Sequence, residues 1–486
     1  MATLPSALDN LEPSAVWRHF GQFSLIPRPS GEEEGMRAYI CGWATSSGFT
    51  FEVDSVGNLI VKVPGSGGGV GSAPVVLQGH MDMVCEKNSD KSHDFSNDPI
   101  TLMREGNNIT ADGTTLGADN GIGVALAMAA ADGAFGDHPP LELLFTMDEE
   151  TGMTGARAVD AGMLDGRLMI NIDAEEEGVL YVGCAGGQDT VVSKRFSREV
   201  ANPDTVALKV AVLGLRGGHS GLDIIKNRGN AIQLLVEMLR HLNDIGKNSC
   251  LVELTGGSKR NAIPREASAV VRVLSSEVEA FGKSVLELEA KMVALHADSD
   301  SGLRFEVETI DDPRGALTDV RGLLSFLSIV PNGVVTMSQA VPGLVETSTN
   351  LGVVYFEGET VEVVLCSRSS NQSALDRVAG QISGLADVCG LDWVREGSYP
   401  GWQPDMTSGL LKITREVFAI DLGEEPEVTA IHAGLECGLL GDRVPGMEMI
   451  SFGPNIRNAH SPDELVEISS VQVVGRQLGA LLRALI

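Results

Sequence analysis

Along the first third of the chain, apolar positions alternate between helical spacing and short unbroken runs. Residues 15–23 and 33–47 carry apolar side chains three and four apart, the spacing of amphipathic helices. Residues 51–53 and 58–63 read as strands of a hairpin around Ser55-Val56-Gly57, and the Gly/Ser-rich stretch 64–72 reads as a flexible loop. The next segment, 74–78, is largely apolar without alternation, which predicts a strand buried on both faces. Residues 141–147 and 168–171 repeat that pattern, and the Ala-rich segment 121–132 between them predicts a helix. Strands and helices taking turns in this way predict an α/β domain.

The texture changes after Ala185-Gly186-Gly187. Strands are expected at 206–214, 249–255 and 267–274, with helices at 230–242 and 277–296. A second set follows, with strands at 351–356 and 362–367 and a helix at 373–389. Two successive strand–helix sets predict an inserted α+β domain made of two related lobes. Helices at 410–418 and 469–485 then complete the first domain. The expected organisation is a discontinuous domain, 1–186 with 401–486, interrupted by an insertion at 187–400. A length of 486 residues fits this, since one hydrophobic core rarely serves so long a chain.

Composition narrows the functions available. Hydrophobic residues make up 43%, enough for ordinary cores, while the formal charge of −30 repels phosphate backbones and anionic lipid headgroups. Nucleic-acid and membrane partners are therefore not expected. Cysteines 41, 85, 184, 250, 366, 389 and 437 are scattered, odd in number and without CxxC spacing, which suits a reducing compartment. The opening residues lack a basic segment followed by an apolar one, and no apolar run approaches the roughly 20 residues that span a bilayer. A soluble cytoplasmic protein is expected.

Chemistry concentrates where the buried strands stop. The first ends at His80-Met81-Asp82, the second at Asp148-Glu149-Glu150, and the third just before Asp173. An isolated acid after a strand is usually a solvated turn residue; three in succession at the ligand-binding edge of an α/β sheet point to a site. Asp119, among glycines before a helix, could serve as an N-cap or could bridge two cations with its two oxygens. His460, in Ala459-His460-Ser461, lies far down the chain yet belongs chemically with these acids. Imidazole and carboxylate together are ligands for divalent ions such as zinc. Asp82, two residues beyond His80, suits a carboxylate that orients a metal-bound imidazole.

These motifs carry a resemblance. LQGHMDMV at 77–84, TTLGADNGIG at 114–123, CAGG at 184–187, NAIPRE at 261–266, GWQPD at 401–405, HAGLECG at 432–438 and HSPDE at 460–464 resemble the aminoacyl-histidine dipeptidase branch of the M20 metallopeptidase family. The resemblance runs along nearly the whole chain. It implies a zinc-peptidase-like catalytic domain, with a mixed sheet and flanking helices, and an inserted α+β lid domain. It implies two Zn2+ per subunit, replaceable by Co2+ or Mn2+, one held by His80 and Asp173, the other by Glu150 and His460, with Asp119 bridging. Glu149 becomes the general acid/base that activates a metal-bridging water, and Asp82 orients His80.

By the same resemblance His219 polarises the scissile carbonyl, while Asn261 and Arg368 hold the substrate's terminal carboxylate. Arg368 could equally pair with a surface acid. The implied activity is hydrolysis of unsubstituted dipeptides, preferentially Xaa-His, by a cytoplasmic homodimer. The insertion is larger than in the simplest dimeric members, which leaves open whether His219 serves its own subunit or a partner. Other M20 chemistries, an N-acyl amino acid deacylase or a tripeptidase, share the ligands. A non-catalytic binding protein is disfavoured because Glu149 is intact.

Overall fold

The computed structural model describes residues 4–244 and 249–486. The chain divides into two compact units, Met1–Gly183 with Pro404–Ala430 and Leu435–Ile486, and Cys184–Gln403 with Ile431–Gly434. The four-residue piece joins the second unit because the Ala185 amide donates to the carbonyls of Ile431 and Ala433. Nothing in the local sequence pattern announces that exchange.

The first unit is built on a mixed sheet, and the three apolar runs sit together within it. Val75–His80 lies between Leu141–Thr146 and Leu168–Asn171 and is parallel to both. Every residue of Val75–His80 and Leu141–Thr146 is buried, which is why neither run alternates with polar positions. Leu59–Val63 adds an antiparallel neighbour beyond Leu141–Thr146, and Glu448–Ser451 a parallel one beyond Leu168–Asn171. The stretch read as a flexible loop is pinned by paired bonds between Ser66 and His138.

Helix Ala118–Ala131 is buried along nearly its whole length, so its alanines serve close packing on every side. Its tightest approach is at Gly123, where a Cβ would collide with the Ile172 carbonyl oxygen. Asn120 Nδ2 donates to that same oxygen at 2.6 Å, so the helix start is fastened to the end of a strand.

In the second unit the two strand–helix sets form one antiparallel sheet of nine strands. Strands Thr205–Leu213, Ala267–Leu274 and Cys250–Gly256 belong to one set, and Val345–Glu357, Thr360–Ser369 and Gly186–Arg195 to the other. They join where Gly256 pairs with Val354. One apolar core serves both sets, including Leu208, Leu235 and Phe281 from the first and Phe326, Leu365 and Ile382 from the second. Among the described residues no helix is long and apolar enough to cross a membrane, and none of the seven cysteines forms a disulfide.

Gly123→Ala tests the helix-to-strand fastening. The added methyl has only backbone and the Asn120 amide to displace, so unfolding free energy should fall by about 1–3 kcal/mol, the usual cost of overpacking. Urea denaturation measures it, and an unchanged midpoint would mean the helix can stand off from Ile172 at no cost.

Candidate metal centre

Parallel pairing brings the carboxyl ends of the three central strands to one sheet edge. His80 is the last residue of Val75–His80. Glu149 and Glu150 open the short helix Glu149–Gly152, with Asp148 before them in a left-handed conformation, φ 53°. Asp173 follows the third strand by two residues. Asp119 falls within the first turn of its helix but keeps extended backbone angles, φ −78° and ψ 114°. Such angles would suit a capping residue, yet its side-chain oxygens accept no helix amide among the described residues.

Instead the two oxygens of Asp119 face two different imidazoles. Oδ1 lies 3.1 Å from His80 Nε2, and Oδ2 lies 3.2 Å from His460 Nε2. His80 Nε2 is also 3.4 Å from Asp173 Oδ1, and His460 Nε2 is 3.1 Å from Glu150 Oε2. Two groups of three donors thus share one carboxylate. Donors bound about 2.0–2.1 Å from a tetrahedral zinc ion stand roughly 3.3 Å apart, and the separations here match. Glu150 Oε1 and Asp173 Oδ1 are buried with no hydrogen-bond partner among the described residues. The donor atoms of His80, Asp119 and Glu150 lie within 4.8 Å of one another. A set of nitrogen and oxygen donors without thiolate fits a pair of divalent ions such as zinc, cobalt or manganese.

The local electrostatics have the same origin. Burial pushes the Asp173 carboxyl up to about 7, with Asp119 and Glu150 adding to the effect and His80 opposing it. Burial likewise raises Glu149 well above the ordinary range; His80 works against the shift, and Asp173, Glu436 and Glu150 reinforce it. Hydrogen bonds to Asp119 and Glu150 lift His460 to about 11. Burial disfavours the His80 cation, but Asp173, Asp119 and Asp82 raise it well above the usual imidazole value. Four acids this close repel one another, and any cation among them is held tightly.

Asp82 does more than stand behind His80. Its Oδ1 is 3.3 Å from His80 Nδ1 and accepts the Glu149 amide at 3.1 Å. Its Oδ2 accepts Ser30 Oγ at 2.7 Å and the Glu150 amide at 3.2 Å. These bonds hold Asp82 ionised, well below the ordinary carboxylate range, although burial opposes it. One buried acid thereby ties His80 to the turn that carries Glu149 and Glu150.

Three supporting residues escaped the sequence reading. Glu436, fully buried, accepts Gln78 Nε2 at 2.6 Å and Thr146 Oγ1 at 2.7 Å beneath the strand ends. Glu464 and Arg28 grip the turn that bears Asp119. The motifs HAGLECG and HSPDE contain both glutamates, but nothing in their spacing shows which backbone they reach.

The remaining candidates belong to the second unit. His219 is half-buried, and its Nδ1 accepts the amides of Gly221 at 3.2 Å and Leu222 at 3.1 Å. A neutral ring bonded in this way carries its proton on Nε2. Burial and the Arg368 charge both keep it neutral. Arg368 is buried, bonded through Nη1 to Tyr399 Oη at 3.0 Å, with Nε unpartnered. No acid lies within ion-pair distance of it among the described residues, so it is not the surface ion-pair residue that a lone arginine often is. Its register partner Ser348 bonds His432 Nε2 at 2.7 Å. Burial, with Arg368 and His219 nearby, pushes His432 down to about 3. Asn261 is exposed on the turn before Ala262–Ile263, which Asn350 Nδ2 holds by bonds to the carbonyls of Arg260 and Ala262.

Fold and donor set together define a metallopeptidase-type centre, and the family model for peptidase family M20/M25/M40 matches residues 76–484. The chain belongs to that family and is a hydrolase acting on peptide bonds. The cytosol non-specific dipeptidase of Escherichia coli (strain K12) is 40% identical over 469 residues, 96% of each chain. The crystal structure of aminoacylhistidine dipeptidase from Vibrio alginolyticus superposes with a TM-score of 0.92 at 39% identity, covering 99% of this chain and 98% of that one. Aminopeptidase PepT from Bacillus cereus, at 13% identity and a TM-score of 0.57 over 98% of this chain and 99% of that one, shares the fold.

Protons and cations compete for these donors. Since hydrogen bonds to Asp119 and Glu150 raise the His460 imidazole to about 11, cation binding at neutral pH must displace its proton. Zinc affinity should therefore rise with pH between about 6 and 8, by about tenfold per pH unit for each proton released. Competition against a chromophoric chelator at several pH values reads the slope; a flat profile would exclude His460 as a ligand.

Proposed function

We propose that this chain is a dinuclear metal-dependent dipeptidase that hydrolyses unsubstituted dipeptides, with Xaa-His the preferred class. The observation that carries the reading is the shared Asp119 carboxylate, each oxygen facing its own imidazole and a further acid. His80, Asp173 and Asp119 would hold one cation, and His460, Glu150 and Asp119 the other. Zinc is the proposed ion, with cobalt or manganese able to replace it. When bound, such a pair supplies Lewis acidity to a water and to the scissile carbonyl.

The chain's own groups do the rest. A Glu149 carboxylate oxygen takes the proton of the attacking water and returns it to the leaving amine nitrogen, the double duty of a general acid/base. A carboxyl that burial holds toward neutrality suits both halves of that task. Asp82 keeps Glu149 in place through its amide and keeps His80 turned toward Asp119.

The second unit is proposed to supply recognition. His219, protonated on Nε2, offers a donor for the carbonyl oxygen. Arg368, buried without an acid, offers a planar fork for the substrate's C-terminal carboxylate, assisted by Asn261. A carboxylate is the group that satisfies a buried guanidinium most fully. Longer peptides would lack a charge at that place, which restricts cleavage to short substrates. The names of the Escherichia coli and Vibrio alginolyticus relatives support the dipeptide and Xaa-His assignments. Cytoplasmic residence, supported by cysteines that form no disulfide and by the cytosolic relative, and a homodimer, supported by the family resemblance, complete the proposal.

A panel of Xaa-His and other dipeptides, tripeptides and N-acetyl amino acids, assayed with added zinc, tests the substrate class. Dipeptides should turn over fastest, and the preference should shrink when the dipeptide is amidated. Arg368→Ala should raise KM for the free dipeptide far more than for the amide. Equal losses on both would remove carboxylate recognition from Arg368; fastest turnover of N-acetyl amino acids would make the chain a deacylase.

Glu149→Ala should lose turnover by at least about 10²–10⁴-fold, the range for a general acid/base, while keeping its metal. Glu150→Ala should lose part of its metal. If metal analysis and kinetics return the opposite pattern, the roles of the two neighbours are reversed.

A further inference from the structure

Glu464 stands four residues beyond His460 and is 2% exposed. Its carboxylate receives four consecutive backbone amides. Leu116 N–H at 2.8 Å and Gly117 N–H at 3.0 Å donate to Oε2, and Ala118 N–H at 2.8 Å and Asp119 N–H at 3.3 Å donate to Oε1. A buried carboxylate needs partners, and main-chain amides are the most rigid it can find. The bonds therefore fix the turn as firmly as they satisfy the acid.

The same turn is held from its carbonyl side. Arg28, 3% exposed, donates Nη2 to the Gly117 carbonyl, and Nη1 to the carbonyls of Met81 at 3.0 Å and Asp82 at 2.7 Å. Gly117 has φ 71°, and a Cβ there would collide with the Arg28 guanidinium, so both the left-handed backbone and the clearance require glycine. The segment ending in Asp119 is thus bound on one side to the chain that carries His460 and on the other to the chain that carries His80. Those are the two imidazoles that the Asp119 oxygens face.

We propose that Glu464 is a positioning residue that aims the Asp119 carboxylate, so that binding of a second cation equivalent depends on it although it donates to neither cation. This rests on the reading that Asp119 is shared by two cations. Glu464→Gln keeps the size of the side chain but turns an NH2 toward two of the four amides. The turn must then shift, and the Asp119 oxygens shift with it. His460 lies on the short segment that Glu464 anchors to this turn, so the second equivalent loses the aim of two donors, whereas His80 and Asp173 stand on strand ends that Glu464 does not touch.

Competition titration of the metal-free enzyme with zinc, with thermal unfolding of the same samples, tests this. The wild type should bind two equivalents. Glu464→Gln should weaken the second by about 10–100-fold, as loss of an outer partner of a ligand usually does, while the first changes by less than about threefold. Glu464→Asp, too short to span all four amides, should show the same split. Should the Gln variant fail to fold, Glu464→Asp, which keeps the charge, carries the test alone. Unchanged affinity for both equivalents overturns the proposal. So does an equal loss of both, and a lowered unfolding temperature beside it would make Glu464 a residue of the fold alone. Fewer than two equivalents in the wild type would instead refute the dinuclear reading itself, a failure visible before any variant is made.

Discussion

Two imidazole nitrogens converge on the two oxygens of one carboxylate, Asp119, at 3.1 and 3.2 Å, and the rest of the first unit is arranged to allow it. Bringing Asp119, Glu150 and Asp173 this close costs electrostatic energy that grows as burial removes water. Flexible loops would relax by moving apart. Here the acids stand on different elements, a helix start, a short helix after one strand and the turn after another, each fixed by the sheet or by buried hydrogen bonds. The repulsion is left for a cation to relieve, and the spacing of the donors suits two.

Beneath that edge lies a second polar layer. Glu436 accepts bonds from Gln78 and Thr146, Gln78 Oε1 accepts Asn171 Nδ2, and Asn171 Oδ1 accepts Ser451 Oγ. These residues come from four adjacent strands and one helix, and they lock the strand ends laterally where ladder bonds run out. Burial raises the Glu436 carboxyl to about 7, against the pull of His80 and the Thr146 bond. Networks of this kind favour a single arrangement, because a half-satisfied version is costly. The strand ends that carry the donors are thereby held from below.

The second unit solves a different problem, that of keeping a buried cation without an acid. Arg368 has Tyr399 for one bond, and both histidines of its surroundings are held neutral, His219 by burial and the Arg368 charge and His432 by burial together with both neighbours. Neutral rings avoid adding repulsion and still offer donors. His432 reaches this setting from a four-residue piece of chain that otherwise lies among first-unit segments.

Much of this was legible along the chain. The unalternating runs at 74–78, 141–147 and 168–171 announced buried strands because both faces of a parallel sheet are covered, and the acids after them were conspicuous because such strands end at the ligand edge. The motifs around His80, Asp119 and His460 carried the family. What periodicity could not convey is which groups meet through the backbone. Glu464 reads as one more acid after a proline, and its hold on four amides of residues 116–119 exists only once segments some 345 positions apart are packed together. Arg28, Glu436 and the joining of two strand sets into one sheet at Gly256 and Val354 are decisions of the same kind. Local sequence sets which side chains are available and how each element is buried; hydrogen bonds to distant main chain depend on where elements pack, and only the tertiary structure decides that.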